Sequence, residues 1–365
     1  MTWNDAPRQD RIAHIGKTIV ATPTHEKAVN VLKGAYLRYG TRPEGTCSFL
    51  LGETRSGKTT ACDEFMYGVA HEIGGKIVAD GRDDDDGENG GAVTSVVVAR
   101  DTFLERPVIK VQVDAMPTYK ALFDDVVTAV LGMKPPRSMT AAQLKATLSL
   151  QMKTQKTRLL VFDDVQHIAE HRGAEGVYKA ADVFKALMKT AGVQIVLVGL
   201  PHALEIRQAN RQLSEMTVQA HTVRPYDMPS DRDDDNEMIK LLVHLQAELP
   251  FDASSDISSY AVAMRIHAHT DGYIGRIAHL IIDAVEFAID ENVGMVDRSV
   301  LAGLLRDFRG IPDSHNPFLL DDEELGEAKE QERLLTVRAK QAAEKRQTQS
   351  AGLRDRRRSF GTRGG

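Results

Sequence analysis

At 365 residues, with 42% hydrophobic and 27% charged side chains, the chain is long enough for a full core and two domains plus tails, and its composition is that of a globular protein. A formal net charge of −6 excludes a protein that holds DNA by bulk charge alone, but not a local basic surface repeated in an oligomer. The two cysteines, Cys47 and Cys62, lack metal-ligand spacing and read as reduced core residues, and no apolar run approaches membrane-spanning length, so a cytoplasmic protein with no membrane partner is expected.

Residues 1–45 read as an N-terminal arm. Within it, THEKAVNVLKGAYLRYG sets Ala28, Val31, Leu32 and Ala35 at helical spacing, with Thr24 placed to cap the start and Gly40 to stop the end. TCSFLL (Thr46 to Leu51) has the pattern of a short buried strand and leads directly into GETRSGKTT. Here Gly52, Glu53, Thr54, Arg55, Ser56, Gly57, Lys58, Thr59 and Thr60 satisfy G-x-x-x-x-G-K-[ST]. The spacing is one of charge geometry. Glycines let the backbone curl until successive N–H groups face one cluster of phosphate oxygens; the lysine reaches the β- and γ-phosphates, and the next hydroxyl ligates Mg2+. ACDEFMYGVAHEIGG follows with helical spacing and ends at glycines, which puts the phosphates of ATP at a helix N-terminus.

DGRDDDDGENGG (Asp80 to Gly91) lacks the alternation of an EF-hand loop and reads as a solvated loop tip, with KIVAD and VTSVVVAR forming a hairpin around it. PVIKVQVDA (Pro107 to Ala115) is a second core strand, followed by the helix PTYKALFDDVVTAVLG. AAQLKATLSLQMKTQ is another helix, and RLLVFDDVQHI a third strand. A helix around VYKAADVFKALMKTAG precedes a fourth strand, VQIVLVG, and HTVRPYD is a last short one. Strands alternating with helices predict an α/β domain over 46–228, a parallel sheet with helices on both faces. From about Pro229 the pattern is purely helical: DRDDDNEMIKLLVHLQAEL, SSDISSYAVAMRIHAHTDG, GRIAHLIIDAVEFAIDEN and DRSVLAGLLRDFRG make a small all-α domain over 229–312. Ser254 or Ser255 and Asp297 are its expected N-caps, and Gly272 a stop. From Ile311 the chain turns polar, acidic near Asp321 and cationic at Arg354 to Arg358, so 313–365 reads as a flexible tail.

The third strand ends in Asp163-Asp164 after four apolar residues, Leu159 to Phe162. At the tip of the strand beside the phosphate-loop strand, Asp163 would hold Mg2+ through its water shell and Asp164 would polarise the water that attacks the γ-phosphate. The plainer alternative is an acidic strand end facing solvent. TDGYIGRIAHLI places Arg276 at the start of a helix, just after two glycines. In a lid over the nucleotide such an arginine reaches the γ-phosphate; elsewhere it makes an ordinary helix salt bridge.

Taken together, a phosphate loop, an Asp-Asp strand end, a fourth strand and an arginine-bearing helical lid resemble an AAA+ ATPase. More narrowly, the chain resembles the TniB/TnsC family of transposition ATPases from about Arg11 to Phe318. The likeness runs through GETRSGKTT, the unit PVIKVQVDAMPTYKALFDDVVTAVLG, LLVFDDVQHI, VFKALMKTAGVQIVLVGLPHALE and GYIGRIAHLI. It implies an ATPase that binds double-stranded DNA when loaded with ATP, assembles into a ring or filament, and recruits a DDE-type transposase, with a targeting protein as a further partner. Hydrolysis would release or trim the assembly. By position, Lys58 and Thr59 hold phosphate and Mg2+, Asp163 holds Mg2+, and Arg276 is the lid sensor.

Three departures from that pattern matter. Asp164 stands where AAA+ proteins usually carry glutamate, one methylene longer, which predicts slow intrinsic hydrolysis. The fourth strand ends in Gly199-Leu200-Pro201, without the polar residue many of them place there. Glu215-Met216 replaces an Arg-Phe pair, so the arginine finger falls to Arg211 or Arg207, which precede Glu215 at four-residue steps, or else these form a salt-bridged stripe. Lys120, beside Tyr119, is a candidate DNA phosphate contact or simply a solvated lysine. The same fold also fits a helicase loader or replication-initiator ATPase, and an ATP-binding signalling or scaffold module without turnover remains a third reading.

Overall fold

A computed structural model describes residues 3–80, 93–114, 126–128, 130–131, 136, 138–171, 173–229, 235–327, 330 and 334. The acidic stretch from 81 to 91, Tyr119 and Lys120, and Arg354 to Arg358 lie outside the described residues. The chain forms two compact units: Ala21–Tyr226 with Tyr273–Arg276, and Met1–Val20 with Asp227–Gly272 and Ile277–Gly365. Helix α1 (Arg8–Lys17) opens the chain and belongs to the second of these.

The first unit is built on a seven-stranded sheet of β1 (Cys47–Leu51), β2 (Lys76–Asp80), β3 (Val93–Ala99), β4 (Leu104–Gln112), β5 (Leu159–Asp163), β6 (Gln194–Gly199) and β7 (Thr217–Thr222), in the order β2-β3-β4-β5-β6-β1-β7. From β4 to β7 all neighbours are parallel; β2 and β3 form the expected antiparallel hairpin, and β3 pairs antiparallel with β4. Strands β1, β5 and β6 are buried along their whole length, as continuous apolar runs covered on both faces must be.

The two-residue period sorts their side chains. Phe49, Ile109, Phe162 and Leu197 join one apolar cluster, whereas Leu50, Val108, Val161 and Val198 join another on the opposite face. Helices α2 (Pro23–Leu37) and α3 (Lys58–Ile73) cover the second face. The first is covered by α4 (Ala141–Thr154), the short α5 (Gln166–His171) and α6 (Gly173–Ala191), where Phe184 meets Phe162 edge-on with ring centroids 4.9 Å apart. Short helices α7 (Glu205–Ala209) and α8 (Arg211–Met216) lead into β7.

Several expectations shift in detail. The Asp163 strand β5 is not beside the phosphate-loop strand β1: β6 lies between them. The last strand is Thr217–Thr222 rather than HTVRPYD; as an edge strand with largely exposed side chains it carries no apolar alternation to announce it. Helix α2 is capped by Thr22, with Pro23 in its first turn, not by Thr24. Arg207 and Arg211 do not share a helix, because buried Asn210 turns extended (φ −137°, ψ 111°), accepts from Gln212 N and Leu213 N, and starts α8 anew.

The second unit contains α1, α9 (Glu237–Ala247), α10 (Tyr260–Thr270), most of α11 (Ile274–Asp290), α12 (Arg298–Gly303) and a π-helical turn (Leu304–Phe308). Asp297 caps α12 as expected, accepting from Ser299 N and Val300 N. Helix α10 starts after Ser259, not after Ser254 or Ser255; Ser255 is buried and accepts from Val296 N at 2.9 Å instead. The core also continues past Ile311, where polarity had marked its end. Asn316, Phe318 and Leu325 are buried, and the guanidinium of buried Arg265 donates to Leu320 O at 2.9 Å and to Asp322 at 2.7 Å. The amino terminus clasps this unit through polar contacts: Arg8 to Glu286 (2.5 Å) and Asp290 (2.7 Å), Trp3 N to Asp252 (2.9 Å), and Arg11 over the Phe251 ring at 4.8 Å. No helix among the described residues is long and apolar enough to cross a membrane.

Candidate nucleotide-binding site

Strand β1 delivers the chain to the loop, and α3 takes it away, starting at Lys58 behind an N-cap Gly57 in the left-handed region (φ 89°). The curl is tight. A Cβ on Gly52 would lie 2.5 Å from Ser56 Oγ, and one on Gly57 would lie 2.9 Å from Ile274 Cγ2. Glu53, Thr54, Arg55, Thr59 and Thr60 are exposed around this cradle, while Ser56 and Lys58 are buried. Lys58 Nζ donates to Gly52 O and Glu53 O, both at 2.8 Å, and to Ser56 Oγ at 3.3 Å. Burial pushes its pKa down, against the pull of Asp163 and Asp164. A desolvated ammonium ringed by loop acceptors, at the start of a sixteen-residue helix, is chemistry suited to a multiply charged phosphate.

Asp163, at the tip of β5, is 1% exposed. Although β6 intervenes, Thr59, the second residue of α3, donates from Oγ1 to Asp163 Oδ2 at 3.1 Å. Burial raises the Asp163 carboxyl above its ordinary value, with the neighbouring Asp164 charge adding to the shift. A hydroxyl and a carboxylate are hard oxygen ligands of the kind Mg2+ takes alongside substrate phosphates, so the residues present fit that ion.

Asp164 adopts φ 58°, a left-handed conformation that costs a residue with a Cβ about 1 kcal/mol or more. Its carboxylate accepts from the amides of Gln112, at the end of β4, and Gln166, at 2.9 Å. Neither glutamine stood out in the sequence. The available signals were weak: Gln112 interrupts the apolar alternation of VIKVQV, and Gln166 follows two residues after Asp164 in DDVQHI. Lys110 on β4 was also missed; it pairs with Asp63 of α3 and its charge opposes the rise at Asp163.

The two arginines fall in different places. Arg276 lies in the first turn of α11, its guanidinium 4.8 Å from the centroid of the Tyr273 ring, and Gly275 N donates to Arg55 O of the phosphate loop at 2.8 Å. Arg211 precedes β7, whose first residue pairs with Cys47 at the start of β1, whereas the loop follows the far end, Leu51, paired with Thr222. Arg211 itself opens α8, six residues before that strand. There its exposed side chain pairs with Glu215 at 3.0 Å.

This sheet, loop and pair of acidic strand-end residues define an AAA+ P-loop fold, and the family description "AAA domain" matches residues 42–208. No curated protein matches the sequence. Among solved structures, the chain is similar to the Orc1 protein of Aeropyrum pernix in complex with DNA (16% identity, TM-score 0.52, covering 81% of this chain and 70% of that one). It is also similar to Drosophila ORC bound to DNA (12%, 0.52, 85% and 68%) and to Cdc6p from Pyrobaculum aerophilum (12%, 0.50, 83% and 74%). At such identities the likeness is one of fold.

Proposed function

We propose that this chain is an ATPase that binds double-stranded DNA in its ATP-loaded form, assembles on it as a homo-oligomer, and serves transposition by recruiting a DDE-type transposase. The observation that carries the nucleotide half is the buried Lys58 inside the loop, one residue before a Thr59 hydrogen-bonded to Asp163. In this reading Lys58 and the loop N–H groups bind the triphosphate of the substrate, and Thr59 and Asp163 hold Mg2+. The chemistry that ion would supply there is to offset the charge of the phosphates. Asp164, aimed by two glutamine amides, accepts the proton of the attacking water, and Arg276 senses the γ-phosphate. One methylene shorter than glutamate, Asp164 makes turnover slow, and the ATP-bound assembly is correspondingly long-lived. Arg211, whose side chain is exposed at the start of α8, is the residue we assign as an arginine finger offered to a neighbouring copy.

The transposition half rests on the TniB/TnsC resemblance of GETRSGKTT, LLVFDDVQHI and the β4 unit. A second reading, a helicase loader or replication-initiator ATPase, is favoured by the fold likeness to the Orc1 and Cdc6 structures. Electron microscopy of the purified protein with an ATP analogue, with and without duplex DNA, tests the shared part; rings or filaments that need both are expected. Single particles indifferent to DNA in every nucleotide state would sink it. Stimulated strand transfer by a transposase separates the first reading from the second.

A further inference from the structure

The tip of β6 is where this chain lacks a polar side chain, since the strand ends in Gly199-Leu200-Pro201. Its space is filled from the neighbouring strand. A Cβ on Gly199 would lie 2.7 Å from Gln166 Oε1, so a side chain at residue 199 would displace that oxygen. Gln166, 7% exposed at the start of α5, bridges two strand tips: Leu200 N donates to its Oε1 at 3.2 Å, and its Nε2 donates to Asp164 Oδ1 at 2.9 Å. The partners fix the orientation of the amide, because a backbone N–H needs an acceptor and a carboxylate needs a donor. Glutamate could meet the first but not the second. The bridge acts on Asp164, whose backbone is in the left-handed region at φ 58°.

We propose that Gln166 is a positioning residue for hydrolysis, setting the aim of the Asp164 carboxylate from the tip of β6 in place of a polar residue on that strand. The proposal rests on the hydrolytic reading of Asp164 given above. The bridge links the β6 tip, through the Gln166 side chain, to one oxygen of a carboxylate whose other oxygen is held by Gln112 from β4.

The test compares Gln166→Glu, Gln166→Ala, Gly199→Ala and Asp164→Asn in the full-length protein, by steady-state phosphate release from Mg-ATP, by binding of a fluorescent ATP analogue, and by thermal melting. Gln166→Glu keeps the acceptor for Leu200 N and loses the donor to Asp164. It is expected to lower kcat about tenfold or more, with KM and analogue Kd within about twofold and melting near wild type. Gly199→Ala, whose methyl pushes Oε1 aside, should reproduce the loss without touching residue 166. Wild-type kcat in Gln166→Glu, while Asp164→Asn is impaired, overturns the proposal. So does a pattern in which Gln166→Ala loses both stability and kcat and Gln166→Glu loses neither, since that marks a brace between strands. Wild-type turnover in Asp164→Asn is a different failure: it removes the hydrolytic reading, and the proposal with it.

Discussion

Replacing Gly45 with alanine tests how the phosphate-loop strand is seated. The added Cβ would lie 1.9 Å from Val193 O, 2.8 Å from Val193 C and 3.2 Å from Met188 Cα, all backbone atoms that no rotamer change can clear. Bringing the first contact to an ordinary separation requires the entry of β1 to move by roughly 1.5 Å. That movement breaks the Gly45 N to Met188 O bond (3.1 Å). It also strains Thr46, whose N and Oγ1 both donate to Gln194 Oε1 (3.0 and 2.6 Å) and whose carbonyl accepts from Ile195 N (2.9 Å). At about 1 kcal/mol for each of two hydrogen bonds and about 1–3 kcal/mol for overpacking, the cost is about 3–5 kcal/mol. For a protein of this size that lowers the melting temperature by about 4–7 °C. Circular dichroism melting of full-length wild type and variant reads it directly. Gly68→Ala is the control: it sits inside α3 with nothing within 4 Å of the new methyl, and should stabilise by about 0.5–1 kcal/mol. A Gly45→Ala protein melting within about 2 °C of wild type would refute the seating described here.

Three further outcomes are expected. Lys58→Ala should weaken binding of a fluorescent ATP analogue ~100-fold or more and abolish nucleotide-dependent assembly, read by light scattering. Arg276→Ala should reduce the effect of nucleotide on assembly more than it reduces analogue affinity, so the ratio of the two is the measurement. A pH dependence follows from Glu105, whose two oxygens accept from Arg100 (2.8 Å) and Lys156; these hydrogen bonds pull its carboxyl from 4.5 down to about 2. Because the folded value is the lower one, this cluster's stabilisation is complete above pH 4.5 and is lost as pH falls toward about 2. The difference in stability between wild type and Glu105→Gln, from urea unfolding at several pH values, should shrink to nothing over that window.

How much was legible depended on whether the cause was local. The phosphate loop is set by residues within one short stretch, and the buried strands by unbroken apolar runs, so both could be read directly. Asp163 was found for the right strand end but the wrong neighbour, because strand order depends on where the chain crosses the sheet and no residue of β5 encodes that. Gln112 and Gln166 escaped because the hydrogen bonds that single them out, Gln112 to Asp164 and Leu200 N to Gln166, join segments distant in sequence. Arg207 and Arg211 looked like one helical stripe until Asn210, a residue whose side chain competes for backbone N–H groups, divided them. The burial of Phe318 and Leu325 was hidden by the carboxylates around them, while the buried Arg265 that holds this segment lies some fifty residues earlier.

The clasp at the amino terminus gives the molecule a built-in optical probe. Trp3 is the chain's single tryptophan, and its ring stacks at 4.8 Å, tilted, on His14, which in turn faces Glu248 at 3.3 Å. Tryptophan emission, excited selectively over the eight tyrosines, therefore reports the surroundings of Trp3 alone. The charged grips that hold the amino terminus are exposed and weaken as ionic strength rises. A salt titration meant to count DNA phosphate contacts will loosen them over the same range, and the tryptophan signal recorded without DNA separates the two effects.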